Sequence, residues 1–275
     1  MIQLSNVTIP QTVLDKLKEY QDEIDALQTF AEKSAKAQSS FRLKNRRGNR
    51  TFDAVKVGLI EMCSGARRCA YCEDSVGDEV EHIRPKSFFP ANCFDWDNYV
   101  YACGNCNSPK NNKFALFRDN GDFYEVNLNV EIEPPNGKDA MINPRIENPL
   151  DYCVLDLSGT FKFVVNPQLK DAQSKQKAEY TFLKVLNLNE APREFLRQAR
   201  EEAFEDYKAR LEKYRNEKNG NNNQTKLDKM IEGIKRKQHP TVWKEMQRHY
   251  RENWLQQIDE ELHSLFEESP EALNW

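Results

Sequence analysis

Two cysteine pairs of the C-x-x-C type constrain the fold of this chain more than any other feature of its sequence. The first pair is Cys69-Ala-Tyr-Cys72, the second is Cys103-Gly-Asn-Cys106, and 30 residues separate them. A chain that leaves one such turn and returns with another supplies the four thiolates of a tetrahedral zinc site. The alternative is a redox dithiol at one pair and a chance occurrence at the other. We favour structural zinc, because paired cysteines this close in a reducing compartment bind metal more often than they form disulfides.

The composition predicts a globular protein with much solvated surface. Of 275 residues, 39% are hydrophobic and 31% are charged, and the 15 Phe, 10 Tyr and 4 Trp argue against wholesale disorder. No stretch approaches the roughly 20 apolar residues that span a bilayer, and the start, MIQLSNVTIPQ, lacks the pattern of a signal peptide. We therefore expect a cytoplasmic protein. The net charge of −4 argues against a chain coated for nucleic-acid binding, but it leaves room for local basic patches.

Hydrophobic patterning divides the chain into four segments. The predicted segments are a helical part with a basic loop at 1–65, the cysteine-rich module at 66–118, an irregular loop and strand connection at 119–167, and a helical region at 168–275. Helices are predicted at 11–38, 51–63, 168–187, 191–217, 225–237 and 241–267, with a polar break at 219–224. The fold class that follows is α+β and mostly helical, with a central zinc-stapled module flanked by N- and C-terminal helices.

Polar residues of the kind that carry hydrolytic chemistry lie between and directly after the cysteine pairs. Glu81-His82 follows the first pair, Asn98 precedes the second pair, and Asn107 comes immediately after it. In this order the residues resemble the HNH endonucleases, over roughly residues 66–114. The resemblance implies a ββα-metal module and metal-dependent hydrolysis of DNA phosphodiester bonds. The short spacing and the tail of helices are most similar to the stand-alone HNH nucleases of prokaryotic anti-phage systems such as Septu and certain retrons, which implies a defence effector.

The resemblance also implies a role for each polar residue. His82 matches the general base that takes a proton from the attacking water, a role that suits an imidazole with a pKa near operating pH. Glu81 and Asn107 match the ligands of a divalent cation, Mg²⁺ or Mn²⁺, because both offer hard oxygen atoms. Asn98 matches the central asparagine that fixes the histidine segment, and Lys110 is expected to face the same phosphate. Asn111 and Asn112 are alternative ligands or solvated helix positions.

Basic residues near this motif are candidates for phosphate contact. The window FRLKNRRGNR at 41–50 holds five cations and no acid, and it is the most positive in the chain. We predict that Arg46, Arg47, Arg84 and Lys86 contact nucleic acid. The alternative is that the basic window is a solvated loop.

The C-terminal helices exceed what catalysis needs, so we expect them to dock on a protein partner, an ATPase if the narrower resemblance holds. The stripe that contains Trp243, Met246 and Trp254 is predicted to pack within the protein, and a partner groove is the alternative. A zinc deaminase is excluded because His82 lacks the H-x-E pattern of that class. A non-catalytic zinc module that binds nucleic acid or serves as an adaptor remains the alternative function.

Overall fold

The computed structural model describes residues 1–65, 67–127, 132–220 and 223–275, and most of them are helical. The helices are α1 Gln11–Asp25, α2 Phe30–Lys44, α3 Arg50–Met62, α4 Gly104–Lys110, α5 Pro149–Tyr152, α6 Ala172–Ala178, α7 Glu194–Asn219, α8 Gln224–Lys235, α9 Pro240–Arg251, α10 Leu255–Ile258 and α11 Glu260–Glu268. The strands are β1 Glu79–His82, β2 Tyr99–Ala102, β3 Ala115–Arg118, β4 Phe123–Glu125, β5 Gly137–Asp139, β6 Cys153–Leu155 and β7 Phe163–Val165. A π-helical segment, Glu179–Val185, continues α6. The predicted fold class, mostly helical α+β, is confirmed.

The N-terminal stripe forms two helices where one was predicted over 11–38. A capping box separates them: Thr29 Oγ1 accepts a hydrogen bond from Glu32 N at 3.3 Å, and the Glu32 carboxylate accepts one from Thr29 N at 3.1 Å. These bonds satisfy backbone groups that open a new helix, so α2 begins at Phe30. The second predicted helix corresponds to α3.

Among the described residues, short strands form three separate sheets. β1 and β2 are an antiparallel pair in which Glu81 lies opposite Val100 and His82 lies opposite Tyr99. Because α4 follows β2 after a single residue, this part of the chain has the order β-β-α. β3 is central in a sheet of order β4-β3-β5, and β6 pairs with β7. The predicted connection at 119–167 therefore contains four strands, and its residues 128–131 lie outside the described residues.

The predicted helix at 241–267 is divided into α9, α10 and α11. Asn253, with a φ of 60°, takes a left-handed conformation just after α9 ends, and Asp259 caps α11 by accepting a hydrogen bond from Leu262 N at 2.9 Å. The predicted helices at 168–187, 191–217 and 225–237 correspond to α6 with its π-helical extension, α7 and α8. The predicted break at 219–224 and the predicted start of the module at 66 include residues 66 and 221–222, which lie outside the described residues.

The buried apolar residues form one continuous core that draws on all four predicted segments. Polar contacts also join the segments. The Glu73 carboxylate, beside the first cysteine pair, accepts hydrogen bonds from Thr241 N at 3.1 Å and Thr241 Oγ1 at 2.8 Å. The C-terminal helices are thus attached directly to the cysteine-rich module. None of the helices in the described part of the chain combines the length and apolar character needed to cross a bilayer.

Candidate active site and metal centre

The four cysteines of the two pairs come together in one buried cluster. Their Sγ atoms all lie within 4.8 Å of one another, and Cys72 Sγ is 3.8 Å from Cys103 Sγ. Zn–S bonds of about 2.3 Å at tetrahedral angles place two sulfur atoms about 3.8 Å apart. All four thiols are free. The residues predicted as zinc ligands therefore form a donor set whose chemistry and spacing fit zinc.

An arginine from outside the module contacts this cluster. Arg193, which precedes α7 and is buried, donates from Nη2 to Cys106 Sγ at 3.1 Å and from Nη1 to the Leu186 carbonyl at 2.7 Å. A guanidinium at this distance favours the thiolate form of the sulfur, which is the form that binds metal. Sequence reasoning missed this residue because nothing in its local sequence marks it.

His82, the last residue of β1, is held in one tautomer by its neighbours. Its Nε2 lies 2.9 Å from the Cys93 carbonyl oxygen, which also accepts a hydrogen bond from the Tyr99 hydroxyl at 2.6 Å. Because a carbonyl only accepts, Nε2 carries the proton and Nδ1 keeps its lone pair. No residue in the described part of the chain hydrogen-bonds to Nδ1. The edge of the ring packs against Phe41 of α2, with ring centroids 4.3 Å apart.

The environment of His82 keeps its imidazole neutral. Burial lowers its pKa well below the usual value, and the positive charges of Lys86 and Lys110 lower it further. The side chain is only 3% exposed, yet it lines a cavity of about 620 Å³ between β1, α4 and the N-terminal helices. A neutral imidazole with a free lone pair on the wall of a cavity can accept a proton from a molecule bound there.

Glu81 and Lys110 form a buried ion pair beside His82. Lys110 Nζ lies 2.5 Å from Glu81 Oε1 and donates a hydrogen bond to the His82 carbonyl at 2.7 Å. Burial raises the pKa of Glu81, and the Lys110 charge opposes that shift. The Lys110 side chain is fully buried, so it cannot face a phosphate as expected; it supports β1 from within. Glu81 Oε1 is buried, and the Lys110 ammonium balances its charge.

Oxygen-bearing side chains gather at one end of the cavity. Asn107 donates from Nδ2 to Glu79 Oε2 at 2.5 Å, and both residues line the cavity with Asp78 and Glu81. Sequence reasoning identified Asn107 and Glu81 but missed Glu79, which lies two residues before Glu81 on the same face of β1. The alternative ligands Asn111 and Asn112 also line the cavity. This donor set fits a hard divalent cation such as Mg²⁺ or Mn²⁺.

Asn98 fixes the segment that follows β1. Its Oδ1 accepts a hydrogen bond from Arg84 N at 2.7 Å, and its Nδ2 donates to the Arg84 carbonyl at 3.0 Å and to the Asn92 carbonyl at 2.9 Å. The side chain is 5% exposed and does not line the cavity of His82. Asn98 is therefore placed to position the backbone rather than to contact a substrate.

The four residues predicted to contact nucleic acid have different environments. Lys86 lines the cavity of His82. Arg84 points elsewhere and binds Asp139 of β5, with Nε 3.0 Å from both carboxylate oxygens and Nη2 2.7 Å from Oδ1. Arg46 and Arg47 are exposed in the turn between α2 and α3. Of the four, Lys86 is the one placed beside His82.

Comparison with known proteins agrees with this geometry. Residues 69–113 match the HNH endonuclease family model. The Septu protein PtuB of Bacillus thuringiensis is 26% identical in an alignment of 118 positions that covers 38% of this chain and 37% of that protein. No solved structure matches the chain. The resemblance to HNH endonucleases is confirmed for residues 69–113, and the similarity to a Septu protein covers little more than a third of either chain.

Proposed function

We propose that this chain is a metal-dependent HNH endonuclease that hydrolyses DNA phosphodiester bonds as the effector of an anti-phage defence system. The observation that carries the proposal is the His82 ring, neutral and fixed by the Cys93 carbonyl, with its free Nδ1 on a cavity that also holds carboxylates. The match to the HNH family supports the reaction class, and the similarity to a Septu protein supports the role in defence. We also propose a cytoplasmic location, because a four-cysteine metal site is typical of a compartment that keeps thiols reduced.

The residues in and around the cavity have different roles in the proposed hydrolysis. His82 Nδ1 accepts a proton from water while the water oxygen bonds to phosphorus, and the bond from phosphorus to the leaving oxygen breaks. The leaving oxygen then takes up a proton. Glu81 and Asn107 would hold Mg²⁺ or Mn²⁺, with Glu79 as a further oxygen donor, and the cation supplies charge neutralisation at the phosphate when bound. Asn98 and Lys110 position β1 and the segment after it. Zinc on the four cysteines would staple the module.

Replacement of His82 tests the proposal. His82→Ala should lower the cleavage rate of plasmid DNA by about 10²- to 10⁴-fold, the usual worth of a general base, with the far-UV spectrum and zinc content unchanged. His263→Ala is the matched control, because this histidine lies on α11 beside Glu267 and outside the cavity. Cleavage by His82→Ala at the wild-type rate would contradict the assignment. A wild-type chain that cleaves neither DNA nor RNA with Mg²⁺ or Mn²⁺ would favour the non-catalytic zinc module.

We also propose a protein partner, and an ATPase is the class implied by the narrower resemblance. Of the two tryptophans in the predicted stripe, Trp243 is 4% exposed and stacks with Trp275, whereas Trp254 is 38% exposed and is available to a partner. Co-expression with the neighbouring gene products, followed by size-exclusion chromatography, should give a complex that Trp254→Ser weakens. A chain that elutes alone and cleaves DNA constitutively without harming cells would contradict the partner.

A further inference from the structure

The cavity of His82 continues into a second cavity along α2. The second cavity has a volume of about 770 Å³ and shares Phe41, Asn45 and Lys86 with the first. Its other lining residues are Ala35, Gln38, Ser39 and Arg42. We call these seven residues the α2 groove. Because the two cavities share three residues, a chain-like ligand can occupy both at once.

The α2 groove and the first cavity differ in charge. The first cavity is lined by the acids Asp78, Glu79 and Glu81 together with Lys56 and Lys86, whereas no acidic residue lines the α2 groove. The groove carries the cations Arg42 and Lys86. The acidic end suits a divalent cation, and the basic part suits phosphate groups that are not being cleaved.

The cations of the groove are free to bind an anion. Neither Arg42 nor Lys86 forms an ion pair with any residue in the described part of the chain. Lys86 Nζ is held 5.1 Å from the centroid of the Phe41 ring, which directs its charge over the junction of the two cavities. Arg84, by contrast, forms an ion pair with Asp139.

We propose that the α2 groove binds the phosphodiester backbone of the substrate strand next to the cleaved bond, with Arg42 and Lys86 as phosphate contacts. The inference rests on the proposed function, since it takes the strand to enter the cavity of His82. Glu81 and His82 are only 6% and 3% exposed, so the strand must bend down from the groove to reach them. A flexible single strand bends at less cost than a duplex, so we expect tighter binding of single-stranded than of duplex DNA.

Salt-dependent binding tests the groove separately from cleavage. The His82→Ala chain, without divalent cations, is titrated into fluorescein-labelled single-stranded DNA, duplex DNA and single-stranded RNA of one sequence while anisotropy is recorded. Arg42→Gln/Lys86→Gln should reduce the log–log salt slope by about 1.4 on a single strand, from two lost phosphate contacts at roughly 0.7 each. Arg42→Lys/Lys86→Arg should keep the slope, because both charges remain.

A matched control removes the same charge elsewhere. Lys170→Gln/Lys175→Gln alters exposed lysines at and before α6, which line neither cavity, and should leave the slope unchanged. Equal salt slopes for the groove variant and this control would contradict phosphate binding by the α2 groove. A parent chain that binds none of the three nucleic acids would contradict it as well. Tighter binding of duplex than of single-stranded DNA would contradict the proposal that a single strand bends from the α2 groove into the cavity of His82. A reduced salt slope in the groove variant, together with no cleavage by the wild-type chain, would support nucleic-acid binding by the α2 groove and contradict the proposed nuclease activity.

Discussion

At the scale of single residues, Lys110 shows how burial changes the role that a sequence position suggests. Its side chain is fully buried, and its ammonium is balanced by the Glu81 carboxylate and the His82 carbonyl. Two buried charges of this kind cost desolvation energy, and their attraction repays that cost only while both partners are present. Removing one partner leaves the other charge buried and uncompensated.

A double-mutant cycle measures the energetic coupling between Lys110 and Glu81. We expect Lys110→Met alone to lower the free energy of unfolding by about 3–5 kcal/mol, and Glu81→Gln added to it to recover at least about 2 kcal/mol. The measurement is urea unfolding of the zinc-loaded chain without Mg²⁺ or Mn²⁺. The exposed pair Lys184 and Glu125 is the control, and its coupling energy should stay below about 1 kcal/mol. A Lys110 cycle with a coupling as small as that of the control would refute the buried ion pair.

Sequence predicted the residues of the site that lie in one short motif and missed those that the fold brings from elsewhere. The cysteine pairs could be found from their spacing, and Glu81, His82 and Asn107 from an order that resembles the HNH motif. Phe41 and Arg193 could not, because a packing contact with His82 and a hydrogen bond to Cys106 depend on tertiary structure. The burial of Lys110 could not be predicted from the sequence either, since a basic residue at the end of a short helix normally faces water.

At the scale of elements, apolar periodicity located the helices, but local hydrogen bonds decided where they end. The stripe at 11–38 continues across the capping box at Thr29, so its period alone does not reveal the break. The same holds for 241–267, where Asn253 and Asp259 divide the pattern. Both breaks have recognisable residues, a Thr-x-x-Glu and a left-handed Asn, and these signals carry more information about boundaries than hydropathy does.

Helix α2 contributes to the candidate site in two ways that no motif search assigns to it. Its Phe41 side chain packs against the His82 ring, and its exposed face forms the α2 groove. The N-terminal helices therefore complete a site whose chemical groups all lie in the β-β-α part of the chain. Residues outside the family match at 69–113 thus determine the shape of the site.

At the scale of the whole molecule, the cysteine cluster is connected to the C-terminal helices rather than isolated in its module. Arg193 binds Cys106, and Thr241 of α9 binds Glu73, which is adjacent to Cys72 in the chain. His239 adds a contact to Asp74, with Nε2 3.3 Å from Oδ1. A truncation before Thr241 would therefore expose the buried Glu73 carboxylate and is not a neutral way to remove a partner surface.

This connectivity predicts what happens when zinc is removed. We expect one zinc per chain on Cys69, Cys72, Cys103 and Cys106, because the short strands and helix around the cluster bury little apolar surface by themselves. A strong chelator should abolish the tertiary signal of Trp243 and Trp275, which lie in the C-terminal helical region, in the same step as it removes zinc. The measurement follows tryptophan fluorescence and zinc release together during one chelator titration of a Trp96→Phe chain, because Trp96 lies in the module itself and is buried there.

Replacement of Arg193 tests the hydrogen bond between this residue and the cysteine cluster. Arg193→Met should weaken zinc retention by about 10- to 100-fold, the usual effect of losing a hydrogen bond to a metal ligand, and should lower the unfolding midpoint. Arg197→Met is the control, since Arg197 lies on α7 only four residues further along and pairs with Glu194 and Glu201 instead. Purified protein without zinc would refute the metal site itself. Zinc loss that leaves the tryptophan signal native would instead confine the staple to residues 69–113, and the C-terminal helices would then form a separate folding unit.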